Sequence, residues 1–298
     1  MASTTKQRIT SIDAFRGFVM LLMLAEVLSP SSVAEHFPNS ELWQFINHHT
    51  THVIWRGGSL HDMIQPSFSF LVGVAVPFSI ASRMAAGHGF LSMLLHAIFR
   101  AAMLIWLGIF LRSDGKEMTN FTFQDTLSQI GMGYVFLFLL GFRSAVWHWA
   151  AFGLLLVASA AIFASHPLPP ADFDYPAVGV PADWPHHASG FAAHWNKNSN
   201  AGWAIDQWFL NLFGREKPFV SNGGGYVTVN FVTTLATMIL GLIAGTWMKA
   251  GYPRGALLLR LLLAGTIAFS AGFALDYFGL IPNVKRIWTP AWTLYSGG

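Results

Sequence analysis

The stretch from residue 226 to residue 248 has the sequence YVTVNFVTTLATMILGLIAGTWM and contains no charged side chain. An α-helix needs about 20 mostly apolar residues to cross the hydrocarbon core of a bilayer. Comparable uncharged stretches occupy residues 63–82, 126–142 and 144–165. Over the whole chain 53% of the residues are hydrophobic and only 10% are charged, so the sequence predicts an integral membrane protein.

Three further stretches, at residues 12–28, 92–111 and 255–275, are equally apolar but contain ionisable residues. The first lacks a signal-peptide cleavage site, so we expect it to remain as a membrane anchor. Residues 287–298 resemble the start of another helix, which at that length rises only about 18 Å and cannot cross a bilayer. We therefore predict an all-α, polytopic helical membrane protein with seven complete spans plus the start of an eighth. Residues 1–298 would form a single domain that is truncated at its C-terminal end.

The basic residues fall in alternate loops, which predicts the orientation of the chain. They are Lys6, Arg8, Arg83, Arg100, Arg143, Lys249, Arg254 and Arg260. Because such residues collect in cytoplasmic loops, the N-terminus is predicted to be cytoplasmic, and residues 29–61 and 166–225 become long extracytoplasmic loops. The net charge is only +3 and forms no basic stripe, so nucleic acid is not an expected partner. Cysteine is absent, which excludes disulfides and thiolate chemistry.

A histidine and a carboxylate lie close together in the first of these loops, just before a predicted span. His52 precedes Asp62 by ten residues, and Gly57-Gly58 between them allows the chain to fold back. A hydrogen-bonded pair would fix the imidazole tautomer and stabilise the protonated ring, as a general base or an acyl-transfer nucleophile requires. Two plainer interpretations stay open: Asp62 could complete a capping box that starts at Ser59, and His52 could be a solvated loop histidine.

A metal site is the alternative use of the same loop. His48, His49 and His52, together with His61 and Asp62, would supply enough ligands for zinc. Neither a His-Glu-x-x-His helix nor another recognised ligand spacing is present. We therefore expect no metal.

Several ionisable residues lie inside or beside the predicted spans. Asp13 and Arg16 are spaced to form an ion pair that would lower the cost of placing both near lipid. Glu26 and Asp276 lie near the outer ends of their spans. An intramembrane carboxylate is a functional candidate, although the side chain can also extend to the interface.

The sequence SNGGG at residues 221–225 precedes the span that begins at residue 226. Its backbone amides could bind an anion at a helix N-terminus, or the glycines could simply provide a flexible entry. Asn230, just beyond, is either a pathway group or a helix-packing contact.

These residues also carry a resemblance to a known family. The chain has RITSIDAFRG at residues 8–17, then His52, Trp55, Gly57, Asp62 and Pro66, and finally Pro282, Lys285 and Trp288. These positions are similar to the Arg-x-x-Ser-x-Asp-x-x-Arg-Gly, His-x-x-Trp-x-Gly, Asp-x-x-x-Pro and Pro-x-x-Lys-x-x-Trp motifs of the heparan-alpha-glucosaminide N-acetyltransferase family, membrane enzymes of the wider transmembrane acyltransferase group. Residues 202–206 resemble the segment before that family's sixth span. The match extends along nearly the whole chain.

The resemblance implies transfer of an acetyl group from cytosolic acetyl-CoA to the amine of a terminal glucosamine on the far side of the membrane. It implies that His52 is the active-site histidine and Asp62 its acidic partner. We assign substrate contacts to Trp55, Glu26, Asn230, Asp276 and Lys285. We assign the attraction of CoA phosphates to Arg16, Arg83, Arg100 and Lys249, although the positive-inside rule explains these cations without a ligand.

Departures from the family pattern leave the acceptor open. Residues 122–129 are TFQDTLSQ where the family has RIPGVLQR, and residues 222–224 are NGG where it has Pro-Glu-Gly. We expect an amino-sugar saccharide of a bacterial envelope as acceptor, membrane lipid as a second partner and a bacterial inner membrane as the location. The oligomeric state that we consider is a homodimer.

The rival hypothesis is a multi-span transporter or flippase of an envelope saccharide, motivated by Glu26 and Asp276. A metal-dependent envelope hydrolase is the third hypothesis.

Overall fold

A computed structural model describes residues 10–298 of the chain, so Lys6 and Arg8 of the predicted orientation lie outside the described residues. The α-helices of the described part are α1 (Thr10–Val27), α2 (Pro30–His36), α3 (Glu41–Thr50), α4 (Ile64–Ala85), α5 (Phe90–Ser113), α6 (Thr126–Leu140), α7 (Ala145–Ser165), α8 (Ala201–Leu210), α9 (Phe231–Lys249), α10 (Arg254–Tyr277) and α11 (Pro290–Gly297). Within residues 10–298 the only β-type pairing is an isolated bridge between Arg56 and Val284. The all-α prediction is therefore confirmed for the described residues.

The seven predicted spans all coincide with helices, but these helices differ in length. Five are long and apolar enough to cross a membrane: His61–Ala85, Phe90–Ser113, Ala145–Ser165, Thr228–Lys249 and Arg254–Tyr277. The helices α1 and α2 would form a sixth span only as one unit, and they are bent by 49°. The helix α6 has only 15 residues, fewer than the roughly 20 that a crossing needs. The apolar helices suggest an integral membrane protein, while the count of seven spans stays a prediction.

The helices α4 and α9 form the centre of the bundle because glycines let their backbones approach. A Cβ atom at Gly73 of α4 would collide with the carbonyl oxygen of Met238. In the same way, a Cβ atom at Gly241 of α9 would collide with the carbonyl of Phe70. Small residues at such contacts are typical of helix packing in membranes, where dispersion contacts replace the hydrophobic effect.

The remaining helices surround this pair. The helices α6 and α7 pack on α9, while α5 packs on α6 and α10 on α11. In an apolar 18-residue stretch of the span that contains α9, 67% of the residues are buried, compared with 6% in the corresponding stretch of α10. The helix α10 therefore lies at the periphery and α9 in the interior.

Two loops meet at the end of the bundle where α4 begins. Gly57 donates its backbone N–H to the carbonyl of Asn283 at 2.9 Å, beside the Arg56–Val284 bridge. The Arg56 guanidinium pairs with Asp276 at 2.8 Å. These contacts hold the loop that contains His52 against the segment that contains Lys285. We call this end of the molecule the site end.

Candidate active site

The Asp62 carboxylate is the centre of the site, and its side chain is only 1% exposed. Its Oδ2 atom accepts hydrogen bonds from the backbone N–H groups of Val53 at 3.2 Å and Ser59 at 3.1 Å, and from the Ser59 hydroxyl at 3.0 Å. Its Oδ1 atom faces His52 Nδ1 at 2.8 Å and Lys285 Nζ at 2.9 Å. Four N–H donors satisfy this buried carboxylate in its charged form, and the single proton of the Ser59 hydroxyl is shared with the Thr51 carbonyl at 2.7 Å.

The pairing of His52 with Asp62 and the capping box at Ser59 occur together, although the sequence presented them as alternatives. Asp62 donates its own backbone N–H to Ser59 Oγ at 3.3 Å, while Ser59 N–H bonds back to the Asp62 carboxylate. The cap uses Oδ2 and the histidine uses Oδ1. The first turn of the span thus fixes the carboxylate that orients the imidazole.

The tautomer of His52 follows from this geometry. An ionised carboxylate can only accept a hydrogen bond, so Nδ1 at 2.8 Å from Asp62 Oδ1 must carry a proton. Lys285 Nζ, which lies 3.1 Å from the same ring nitrogen, therefore donates to Asp62 instead. In the neutral ring, Nε2 holds the lone pair. The His52 side chain is 39% exposed, which leaves Nε2 available to a bound molecule.

Lys285 is a buried cation whose side chain is 5% exposed, and its Nζ atom lies 3.1 Å from His52 Nδ1. Burial lowers the pKa of its ammonium group, and the neighbouring Asp62 carboxylate acts in the opposite direction. The Asp62 carboxylate and the Lys285 ammonium group are both buried. Removing either one would leave the other as an unpaired buried charge. Lys285 thus contacts the His52–Asp62 pair directly.

A second histidine and a second carboxylate lie beside the first pair. The ring centroids of His61 and His52 are 4.4 Å apart, and His61 Nε2 lies 3.4 Å from Glu26 Oε2. His61 is 3% exposed, whereas Glu26 is 71% exposed. Glu26 is therefore accessible to a ligand, while the buried His61 ring contacts the Glu26 carboxylate from the protein interior.

A cavity of about 540 Å³, which we call the site cavity, opens in front of His52. Its polar lining residues are Glu26, His52, His61, Gln65, Arg112, Asn120, Thr122, Gln124, Asp125, Thr126, Asn222, Tyr226 and Lys285. They come from the ends of α1 and α5, the starts of α4 and α6, and the intervening loops. The volume is within the usual range for small-molecule sites.

One wall of this cavity is a chain of hydrogen bonds that ends on a buried acid. Asn222 donates to Gln124 Oε1 at 2.6 Å, and Gln124 donates to Asp206 Oδ2 at 2.6 Å. The same oxygen accepts the Thr228 N–H at 2.9 Å. Burial raises the pKa of the Asp206 carboxyl, and its bonds to Thr228 and Gln124 act against this shift. This network joins the segment before α6, the helix α8 and the segment before α9.

Three backbone amides at residues 224–226 are engaged within the loop that contains the glycine run. Asn222 Oδ1 accepts the N–H groups of Gly224 at 2.8 Å and Tyr226 at 3.3 Å, and the Asn222 carbonyl accepts that of Gly225 at 2.8 Å. Because these donors are engaged within the loop, the run acts as an ordered turn. Gly225 has φ +81, and a Cβ atom there would collide with Trp55.

The predicted substrate contacts divide into two groups. Glu26 and Lys285 line the site cavity. Trp55 is buried against Trp184 with ring centroids 6.3 Å apart, and Asn230 donates to the Arg286 carbonyl at 2.8 Å. Asp276 accepts from Arg56 and from the Asn283 N–H, both at 2.8 Å. These three residues hold the loops around the cavity, and their contact with substrate stays a prediction.

The predicted CoA-binding cations do not line the site cavity. Arg83 lies in the last turn of α4, which begins at the site end and is 22 residues, or about 33 Å, long. Lys249 lies in the last turn of α9, where a helix dipole favours a cation. Arg16 lies 3.6 Å from Asp13, as predicted, and Arg100 stacks on the Tyr134 ring at 4.7 Å. A role in CoA binding stays a prediction for all four.

Within residues 10–298 no group of three or more histidine, aspartate or glutamate side chains is placed to hold a metal ion. His48 and His49 form an edge-to-face ring contact at 4.9 Å, and His49 Nδ1 accepts the Leu60 N–H. The histidines of this loop are thus used in local packing and in the pair with Asp62.

Sequence reasoning missed Arg112, Gln124, Asn222 and Tyr226 as lining residues. The departures at 122–129 and 222–224 were the available signal, because both segments contribute residues to the lining of the site cavity. Arg112 lies one residue beyond the predicted span at residues 92–111.

Part of the chain is similar to curated acetyltransferases. It is 26% identical over 106 residues to heparan-alpha-glucosaminide N-acetyltransferase of Mus musculus and 27% identical over 107 residues to that of Homo sapiens. Each match covers 36% of this chain and 14% of the relative's length. No family model matches the chain. These likenesses show a distant relationship over about a third of the chain and suggest acetyltransferase activity.

Proposed function

We propose that the protein is a membrane-embedded acetyltransferase that moves acetyl from acetyl-CoA to the amine of a glucosamine-type amino sugar. The observation that carries this proposal is the pairing of His52 Nδ1 with the buried Asp62 carboxylate, which leaves Nε2 as a base on the wall of a polar cavity. The distant likeness to acetyltransferases supports the choice of reaction.

In the proposed reaction, the acceptor enters with its amine beside Glu26, the exposed carboxylate of the cavity. A carboxylate favours an incoming ammonium ion. After one proton of that ammonium ion has passed to solvent, His52 Nε2 removes a second proton as the neutral amine nitrogen attacks the thioester carbonyl. The new C–N bond forms, the C–S bond breaks, and the CoA thiolate takes up the proton that His52 holds. The products are the N-acetyl sugar and free CoA.

Two further groups fit steps of this reaction. Asp62, held by Lys285 and the capping box, stabilises the imidazolium that forms on His52. Tyr226 lines the same cavity, and burial raises the pKa of its phenol, so it keeps the proton that it would donate to the tetrahedral oxyanion.

Acetyl-CoA would approach from the end opposite the site end, where Arg83 and Lys249 lie. In this proposal that end faces the cytoplasm and the protein lies in a bacterial inner membrane.

The test is acetyl transfer by the purified protein in liposomes, with acetyl-CoA and methyl glucosaminide. We expect His52→Ala to lower kcat by about two to four orders of magnitude, because it removes the base. The matched control is His36→Ala, an exposed histidine in the last turn of α2 whose ring contacts the Ser32 carbonyl of its own helix, which keeps wild-type turnover. Unchanged turnover in a folded His52→Ala protein would remove His52 from the mechanism. Movement of the saccharide across the bilayer without CoA release would support the transporter hypothesis instead.

A further inference from the structure

Arg112 stands between two cavities. It lines the site cavity and also a neighbouring cavity of about 330 Å³, which we call the side groove. The other lining residues of the side groove are Gly108, Leu111, Asp125, Thr126 and Leu127. A molecule that extends from the site cavity into the side groove therefore passes the Arg112 guanidinium.

The Arg112 guanidinium is available to an anion. Its side chain is exposed, and among residues 10–298 no carboxylate forms an ion pair with it. Asp125 shares the groove, but its oxygens already accept the N–H groups of Leu127 at 2.9 Å and Ser128 at 3.0 Å and the Ser128 hydroxyl at 2.7 Å. The guanidinium fork matches the geometry of a phosphate.

The side groove lies between the end of α5 and the start of α6, and much of the apolar surface of α5 is exposed. Only 17% of the apolar window of α5 is buried, and Leu111, in the last turn of α5, is 56% exposed. Gly108 lets α5 approach α6, since a Cβ atom there would meet the Asp125 carboxylate at 2.6 Å. Leu111 and Leu127 then form apolar walls next to the cation. An alkyl chain would gain apolar burial against them.

We propose that the acceptor is a membrane lipid in which the amino sugar is joined to its apolar tail through a phosphate. This inference rests on the proposed function. The sugar occupies the site cavity, the phosphate bonds to Arg112, and the first part of the tail lies in the side groove. The argument is continuity: a polar cavity, an unpaired cation and an apolar groove follow one another in the order sugar, phosphate, tail. A soluble acidic saccharide would use Arg112 but not Leu111 or Leu127.

Four acceptors separate the contributions of phosphate and tail: methyl glucosaminide, glucosamine 1-phosphate, dodecyl glucosaminide, and glucosamine joined through phosphate to a dodecyl chain. Acetyl transfer to each is measured with the full chain in liposomes. We expect the compound with both phosphate and tail to have the highest kcat/KM, by about tenfold over each compound that lacks one of them. Equal values for glucosamine 1-phosphate and the phosphate-linked dodecyl compound would overturn the lipid assignment and indicate a soluble acceptor.

Variants assign these contributions to residues. Arg112→Gln should lower the preference for the phosphate-linked dodecyl compound over dodecyl glucosaminide by about tenfold. Leu111→Trp, which fills the groove, should lower the preference for tailed over untailed phosphate. The control Lys116→Gln removes an exposed cation near the same end of α5 and keeps both preferences. Unchanged preferences in Arg112→Gln overturn the inference while acetyl transfer itself stands. Failure to acetylate any of the four acceptors overturns the proposed function, and the inference with it.

Discussion

The site end and the α4–α9 contact lie along the same span but use opposite kinds of chemistry. At the site end, Asp62 begins the span that contains α4 and is held by charges and hydrogen bonds. Further along, Gly73 and Gly241 bring the backbones of α4 and α9 together without any charged group. Polar groups near a membrane are costly unless paired, whereas close apolar packing needs only small residues. We therefore expect variants of the two regions to change different measurements.

The largest expected effect is the loss of activity in Asp62→Asn. The amide cannot hold the His52 tautomer as the carboxylate does, so we expect kcat to fall by about a thousandfold or more. The melting temperature should fall as well, because the buried Lys285 ammonium loses its anion. Acetyl transfer and thermal unfolding in detergent measure the two effects. Asp174→Asn, in an exposed loop, is the control for loss of one carboxylate.

A double variant separates the two consequences of that substitution. Adding Lys285→Met removes the unpaired cation, so Asp62→Asn/Lys285→Met should melt above Asp62→Asn while staying inactive. Additive losses of melting temperature in the double variant would show that Lys285 and Asp62 do not stabilise each other.

An intermediate effect is expected at the α4–α9 contact, and here stability should change without chemistry. In Gly241→Ala the new methyl group meets the Phe70 backbone, so the helices must separate, and we expect the melting temperature to fall by several degrees. Gly153→Ala on α7 is the matched control, because a Cβ atom there meets nothing within 4 Å. The folded fraction of Gly241→Ala should keep wild-type kcat. A fall in kcat without a fall in melting temperature would contradict the separation of the two regions.

These regions also differ in what the sequence could predict. Uncharged stretches located the helices because hydrophobic length is a local property. The number of spans was less accessible, since it depends on the bend at Ser29, which has φ 47, and on the 15-residue length of α6. The pairing of His52 with Asp62 was predictable because only ten residues separate them and Gly57, at φ 103, lets the chain reverse.

Long-range contacts of the site were not accessible in the same way. Lys285 reaches Asp62 across 223 residues, and only the resemblance to a family drew attention to it. Gln124, Asp206 and Asn222 meet across 82 and 98 residues. Periodicity assigns a residue to a face of its helix, but it does not say which distant loop packs there. The cavity wall formed by Gln124 and Asn222 could therefore be found only in the folded chain.

The smallest expected effect concerns Asp206, the buried acid behind that wall, and it is a pH dependence. Burial raises the pKa of Asp206 above its ordinary value near 3.8. A group whose pKa is raised on folding contributes stability below the unfolded pKa and loses it as the pH rises through the folded pKa. Because asparagine does not titrate, the melting temperature of wild type relative to Asp206→Asn should be highest below pH 3.8 and should decline as the pH rises above that value. Asp172→Asn, in an exposed loop, controls for the loss of one carboxylate, and a difference that grows with pH would contradict the raised pKa.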